Sequence, residues 1–307
     1  MTVLVLRRLA QAVATIFVVV TVAFVLGRVS GSPAALLLSE TATTEQIDAL
    51  NAKLGFDQPL WKQYLDYLAG IATGNFGDSY RQTGVSSMQL VLERLPASLQ
   101  LGAVGLIVGL LLALVAALSI QLTGSRGLRT GLLGLGSARQ AIPDFFFGLL
   151  LVLVFSVALG WLPSLGNRSP LSIVMPALTI ATAQFVVYVR LLDNALGEQF
   201  RLDYARTAFA RGERRSRVIV FELLPNAALP VLTIAGITLG SFLGGLVIVE
   251  NVFAWPGMGQ LMLSAVYSRD FPVVQSGLIV VAALFILSNA LVDVISAFLD
   301  PRVRHSA

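Results

Sequence analysis

The chain of 307 residues has no cysteine, two lysines (Lys53 and Lys62) and a single histidine. Without cysteine there can be no disulfide and no thiolate metal site. The lone His305 lies in the C-terminal tail, where a solvated side chain is expected. One histidine so placed leaves no Ser/His/Asp or Cys/His set, so no catalytic residue is expected. No metal site is expected either. A G-x4-G-K-[ST] phosphate loop is missing, so any nucleoside triphosphate chemistry must sit on another chain. Charge is also scarce. Only 12% of residues are charged and 56% are hydrophobic, against roughly 25% charged in soluble domains. With a mean hydropathy of +0.82, the chain reads as an integral membrane protein. The pI near 9.8 points superficially to nucleic acid. The arginines, however, flank apolar runs where membrane topology calls for them, so no nucleic-acid partner is expected.

What is present is a series of long apolar runs. Residues 9–29 follow Arg7 and Arg8 and are long enough to span, longer than the roughly 7–15-residue core of a signal peptide. They are read as an uncleaved first helix (domain 1–30), stopped by Gly31, Ser32 and Pro33. Residues 31–95 are polar enough to leave the membrane as a small extracytoplasmic helical segment. There Thr43 and Gln46 fit a capping box, and Gly55 ends that helix. Pro59 opens a second helix carrying Leu60, Trp61, Tyr64, Leu65 and Leu68. Residues 74–79 are turn-forming, and residues 85–95 read as a third amphipathic piece. This segment is expected to be a lid, a docking surface for a delivery protein, or both.

Further spans are expected over 97–122, 137–160, 171–192, 227–252 and 273–298. The loop 123–136, with Arg126 and Arg129, is placed in the cytoplasm. Gly105 and Gly109 in the second span, and Gly236, Gly240 and Gly244 in the fifth, suit close helix packing. Residues 251–272 read as an outer loop. Assigned inside are Arg7, Arg8, Arg126, Arg129, Arg139, Arg190, Arg201, Arg206, Arg211, Arg214, Arg215, Arg217, Arg302 and Arg304. Arg28, Lys53, Lys62, Arg81, Arg94, Arg168 and Arg269 fall outside over a longer stretch. This bias predicts six transmembrane helices with both termini cytoplasmic, the tail being 299–307.

One polar, basic stretch, 198–230, interrupts the apolar pattern. Asp203 can cap a short helix that ends at Gly212. A second short helix over 218–224 runs up to Pro225. Small side chains on a helix lying across the cytoplasmic face would let a partner's groove close on the backbone. The flanking arginines would pair with partner carboxylates or with anionic membrane lipid. A lipid-facing amphipathic loop is the plainer alternative.

The stretch resembles the E-A-A-x3-G loop of binding-protein-dependent ABC importer permeases. Arg206-Thr207-Ala208-x3-Gly212 takes the motif positions and Leu224-Pro225 the trailing L-P. The departures at Arg206 and Thr207 resemble the peptide/nickel branch, which reads close to D-Y-x-R-T-A-x-A-x-G. Here Asp203, Tyr204, Ala205, Arg206, Thr207, Ala208, Ala210, Arg211 and Gly212 fill it, followed by Asn226 and Pro230. Residues 250–259 (ENVFAWPGMG), the ending Asp300-Pro301-Arg302 and the outer 74–79 turn also agree with that branch, in particular its first, B-type, subunit.

The resemblance implies an all-α type I importer permease fold (residues 96–298) whose coupling loop, 193–226, rests in a cleft of an ATPase. It implies a second homologous permease subunit as heterodimer partner, one or two ABC ATPase subunits, and an extracytoplasmic substrate-binding protein. ATP and Mg2+ would sit on the ATPases, with no cofactor on this chain. The implied function is passage of dipeptides or oligopeptides across the inner membrane by alternating access. Nickel or haem import is the alternative within the branch, and a six-span channel or membrane enzyme a remote one.

Three carboxylates fall in or near spans, where charge is costly and faces protein or water. Asp144 is a candidate for the substrate path, the alternative being a bond to backbone freed by Pro143. Glu250 is expected either to fix the Trp255-Pro256-Gly257 loop or to meet the binding protein, and Glu250, Trp255, Pro256 and Gly257 are candidates for an outer gate or binding-protein contact. Asp293 is expected to meet Asn289. Phe145, Phe146 and Phe147 are expected mainly to face lipid.

Overall fold

The computed structural model describes residues 2–299 except 30, 33 and 39–41; for 2–7, 9, 35–36, 239–243 and 291–299 only the backbone is described. Arg7, Asp293, Asp300, Pro301, Arg302, Arg304 and His305 therefore lie outside the described side chains. Among the described residues the fold is helical: α1 (Thr2–Val29), α2 (Ala34–Leu37), α3 (Thr44–Lys53), α4 (Leu60–Ala72), α5 (Ser87–Thr123), α6 (Arg126–Gln140), α7 (Asp144–Leu151), α8 (Val174–Gln199), α9 (Asp203–Ala210), α10 (Arg215–Arg217), α11 (Leu224–Val252), α12 (Met258–Tyr267) and α13 (Phe271–Leu299). Five helices are long and apolar enough to cross a membrane, or six if the bent pair α6–α7 is one span.

The chain divides into two compact units. One comprises residues up to 97 together with 256–286. In it Thr43 and Gln46 form the capping box of α3, and Gly55 comes after that helix with φ +71°. The turn at 74–79 is fastened by Asp270, whose carboxylate accepts from Ser79 Oγ and, at 3.0 Å, from the Tyr80 N–H. Ser87 and Ser276 share a buried hydroxyl contact of 2.7 Å. Tyr64 meets Thr21 at 2.7 Å. Leu60, Trp61 and Leu65 are exposed. Gln63 is the buried residue of α4, and Tyr64 and Tyr67 beside it are partly buried. The outer loop 251–272 is also not all loop, because α12 (Met258–Tyr267) lies within it.

The other unit comprises 98–255 and residues from 287. Here α8 is the central element, packed by α6, α7 and α11. Gly105 and Gly109 of α5 lie against Ile180 and the backbone of Ala181; a Cβ on Gly105 would stand 2.7 Å from Ile180. Gly136 of α6 lies as closely on Val186. Small residues thus let α5 and α6 approach α8, the close packing expected of such pairs. Buried Asp193 ties three helices together, accepting from Gln121 Nε2 and from Arg129 Nε, both at 2.7 Å. Gly244 is exposed with nothing of this chain near it, whereas side chains around Gly240 are not described.

Several sequence boundaries need correction. The piece 85–95 is no separate helix but the start of α5, which runs through Pro96 unbroken. The supposed loop 123–136 shrinks to Gly124 (φ +64°) and Ser125, which caps α6 by accepting from the Leu128 N–H. The glycines of α6 hid its helical pattern. The third span is not continuous over 137–160. It breaks at 141–143, and α6 meets the helix over 144–158 at 103°. Pro143 has no N–H to continue the ladder, so it suits the start of a new helix. Finally, Pro225 does not end a short helix at 218–224. Backbone runs on from Arg215 to Val252, widened to a π-helix over Val218–Leu223. That widening sits just ahead of the residue that lacks a donor and would crowd an α-turn.

Candidate functional site

The short helix α9 comes after α8 and a three-residue turn. Its start has no side-chain cap: Leu202 occupies the N-cap, and Asp203 is the first helical residue, almost fully exposed and 3.4 Å from Arg206. The capping role expected of Asp203 is therefore absent, although its charge still favours the helix N-terminus. Two contacts clamp α9 to the end of α8. Tyr204 Oη donates to Gln199 Oε1 at 2.6 Å, and the rings of Phe200 and Phe209 stack at 6.1 Å. The far end is a Schellman turn. Gly212 N–H donates to Phe209 O and Glu213 N–H to Ala208 O, with Gly212 at φ +79°.

The two faces of α9 differ. Ala205 and Ala208 are fully buried, in the same core cluster as Ile219, Leu223 and Ala227. This corrects the expectation that the small residues face a partner. At spacing i, i+3 they form one inward stripe, and their size lets α9 lie close on the core. Asp203, Arg206, Thr207, Ala210 and Arg211 form the exposed side. Of the later motif residues, Leu224 is partly buried against the core, while Pro225 and Asn226 are exposed, with Asn226 Nδ2 donating to Glu222 O. The arginines around α9 also have partners within the chain. Arg211 and Arg217 both reach Glu213, and Arg215 donates to Gln121 O at 2.9 Å and lies over Phe200. Such exposed ion pairs contribute little stability, about 0–1 kcal/mol each, but they set the shape of the 211–217 turn.

The Gly212 backbone gives a direct test. A Cβ there meets nothing within 4 Å, so any cost of substitution comes from the left-handed φ, about 1–2 kcal/mol for a non-glycine residue. Gly212→Val is expected to lower the melting temperature. Gly212→Asn, which tolerates this conformation, should remain near wild type. Equal behaviour of the two variants would show that the φ constraint is not what matters.

A second constellation lies at the break between α6 and α7. Buried Arg139 donates to Thr182 Oγ1 and Ile142 O, each at 3.0 Å, to Thr179 O at 3.1 Å and to Asp144 Oδ1 at 2.8 Å. Its guanidinium also lies 3.9 Å from the Phe147 ring centre. Arg139 is thus no topology marker but the pin of the bend. Asp144 bonds to this arginine rather than to freed backbone, and about half its surface remains exposed (47%). Phe145 and Phe146 are half exposed, whereas Phe147 is engaged under Arg139.

The outer set is a buried corner. Glu250 is fully buried and accepts from Ser98 Oγ; its own carbonyl accepts from the Trp255 N–H at 2.8 Å. Trp255 and Gly257 are buried and Pro256 only partly exposed. Of the two roles expected of Glu250, this geometry is that of fixing the loop, whereas a contact surface would need exposed side chains. A buried carboxylate needs hydrogen-bonded company, and this one holds the turn after α11.

Among the described residues are apolar helices long enough to span a membrane, and the short α9 lies in the chain between two of them, α8 and α11. In structure comparison, a chain of the MetNI methionine ABC transporter in an inward facing conformation matches with a TM-score of 0.55 at 20% identity, covering 69% of this chain and 97% of that one. The likeness is one of fold.

The sequence profile described as "Binding-protein-dependent transport system inner membrane component" matches residues 109–305, and the corresponding N-terminal profile matches residues 1–102. The chain belongs to this family and is a transport component rather than an enzyme. Its relatives include the di/tripeptide transport system permease protein DppB of Pseudomonas aeruginosa, 35% identical over 97% of this chain and 98% of that protein. The oligopeptide permease protein AppB of Bacillus subtilis is 32% identical over 98% and 99%, and the glutathione permease protein GsiC of Escherichia coli K12 is 32% identical over 98% of each.

Proposed function

We propose that this chain is the B-type permease subunit of an importer for short peptides. The observation that supports this most is likeness over nearly the whole chain to permeases named for di/tripeptides, oligopeptides and glutathione. It pairs with a second, homologous permease, and a binding protein delivers the peptide from outside. One or two ATPase subunits, which carry ATP and Mg2+, receive the exposed side of α9: Asp203, Arg206, Thr207, Ala210 and Arg211. Residues 31–86 and the corner at 250–257 face outward, and both termini lie in the cytoplasm, in line with the arginine bias.

In this reading α9 is a lever with two sides. Its outer side moves with the ATPase, while Ala205 and Ala208 carry that movement into the core around α8 and α11. The bend pinned by Arg139 holds the start of α7 in register with α8, and the exposed part of Asp144 borders the path. Such a device needs two packed arrangements of the spans, with ATP binding favouring one of them.

Reconstitution with the co-encoded subunits tests the proposal. Dipeptides and oligopeptides presented by the binding protein should raise ATP hydrolysis several-fold and accumulate inside vesicles, whereas nickel and haem should not. Stimulation by nickel or haem alone would overturn the peptide assignment and leave the transport assignment standing.

A further inference from the structure

The helix α4 carries a bare apolar strip. Seen down its axis, at about 100° per residue, Tyr67 and Tyr64 are followed by Trp61 and Leu65, and these by Lys62 and Asp66. Gln63, on the far side of the tyrosines, is buried and donates to Gln58 O at 2.6 Å. Lys62 and Asp66 are exposed. Between tyrosines and charges lies the strip: Trp61 is 66% and Leu65 55% exposed, with Leu60 at the helix start 63% exposed. Apolar side chains grouped in this way call for something to cover them.

The tyrosines fix the level at which the strip lies. Tyr64 Oη meets Thr21 Oγ1 at 2.7 Å, and the Phe24 ring stands 5.1 Å from that of Tyr64 and 5.7 Å from that of Tyr67. Both helices belong to one compact unit. Thr21 and Phe24 fall eight and five residues before the end of the first apolar span, Ala10–Val29. At 1.5 Å per residue they stand about 12 and about 8 Å inside it, within one leaflet of a hydrocarbon core about 30 Å thick. Phe17, one turn deeper on the same side of α1, is 55% exposed, so the cover given by α4 ends near Thr21. At this level each helix has one buried side and one bare side. Val20 and Ala23 of α1 are buried, as is Gln63 of α4, whereas Val18, Val22 and Val25 of α1 are bare, like Trp61 and Leu65 of α4.

We infer that α4 is an interfacial helix, seated beside α1 in the leaflet at the Val29 end of that span. Leu60, Trp61 and Leu65 rest on lipid acyl chains, and Lys62 and Asp66 lie among the headgroups. The depth of the Thr21 and Phe24 contacts keeps a water-soluble partner from the strip. The residue types agree, since tryptophan and tyrosine concentrate at the membrane–water boundary. So does their order around the helix, because an apolar side next to a charged one is what a helix lying in the interface plane requires. Residues 31–95 are polar on average, but this helix within them does not leave the membrane. The inference goes beyond the import reading and holds whatever the cargo.

The test uses the importer assembled from all its subunits in nanodiscs of phosphatidylethanolamine and phosphatidylglycerol. The chain has no cysteine, so a spin label attaches at one introduced position once the cysteines of the partner subunits are replaced. Collision of the label with oxygen, which concentrates in the acyl region, is compared with collision with a water-soluble nickel chelate. The oxygen-to-nickel ratio is expected to be about threefold higher, or more, at Leu65→Cys and at Leu60→Cys than at Lys62→Cys. All three positions are exposed, so the variants should assemble with an unchanged melting temperature, and the two leucines report independently. Equal ratios would put α4 in water. Low collision with both reagents at the leucine positions would mean that another subunit covers the strip. Either result overturns the inference.

Discussion

Ala208→Leu is expected to leave ATP hydrolysis running while peptide accumulation falls at least tenfold. Ala208 has no exposed surface and sits among Ile219, Leu223 and Ala227 beneath α9. Three further heavy atoms have no room there, and overpacking of this kind costs about 1–3 kcal/mol. The least costly relief is for α9 to lift from the core, because only a few contacts near residues 199–200 and the Gly212 turn hold its ends. If α9 is the proposed lever, a lifted helix would still reach the ATPase but would no longer move the spans. Thr207→Leu, one position away on the exposed side, should leave the melting temperature of the permease pair unchanged and instead weaken ATPase binding. The two readouts separate the sides of the helix. Wild-type stability and uptake in Ala208→Leu would show that α9 does not transmit through its alanine stripe.

The second large effect is expected at Arg139. Arg139→Leu removes donors from Thr182 Oγ1, Thr179 O, Ile142 O and Asp144 together. Breaking a buried charged pair costs about 3–5 kcal/mol; since Asp144 is half exposed, about 2–4 kcal/mol is the better expectation. The loss should appear as a lower melting temperature and as loss of uptake. Arg139→Lys should not rescue, because one ammonium cannot reach acceptors spread around a planar fork. Asp144→Asn should cost only about 1 kcal/mol, since an amide oxygen can still accept from Arg139. Further removal of the carboxylate, in Arg139→Leu/Asp144→Leu, should restore part of the stability lost in Arg139→Leu. Additive losses would show that the two side chains do not act as a pair.

These two sites differ in how far the sequence revealed them. Local chemistry was readable: the Thr43–Gln46 capping box and the left-handed glycines at 55 and 212 stem from neighbours in sequence, while Gly105 and Gly109 signalled a close approach without naming its distant partners, Ile180 and Ala181. The existence of α9 was readable too. Its orientation was not, although a signal was present, since Ala205 and Ala208 fall on one side of a helix whose other side is polar. Arg139 was beyond reach for a physical reason. Its decisive partners, Thr179 and Thr182, lie 40 and 43 residues away, and an arginine near a span end looks the same whether it faces water or a buried pocket. The break at Pro143 misled because a proline inside an apolar run is common in spans and does not by itself reveal a right-angle turn.

The widened turn over Val218–Leu223 has a consequence for how this chain can vary. A π-turn holds one residue more than the α-turn it replaces, so the backbone accommodates an insertion without re-phasing the rest of α11. Restoring α geometry by deleting one residue there would rotate α9 by about 100° relative to α11 and would carry Ala205 and Ala208 out of the core. The turn therefore decouples two registers, that of the span and that of the short helix beneath it. Substitutions that adapt the exposed side of α9 to a different ATPase can accumulate without disturbing the side chains that α11 presents along its length.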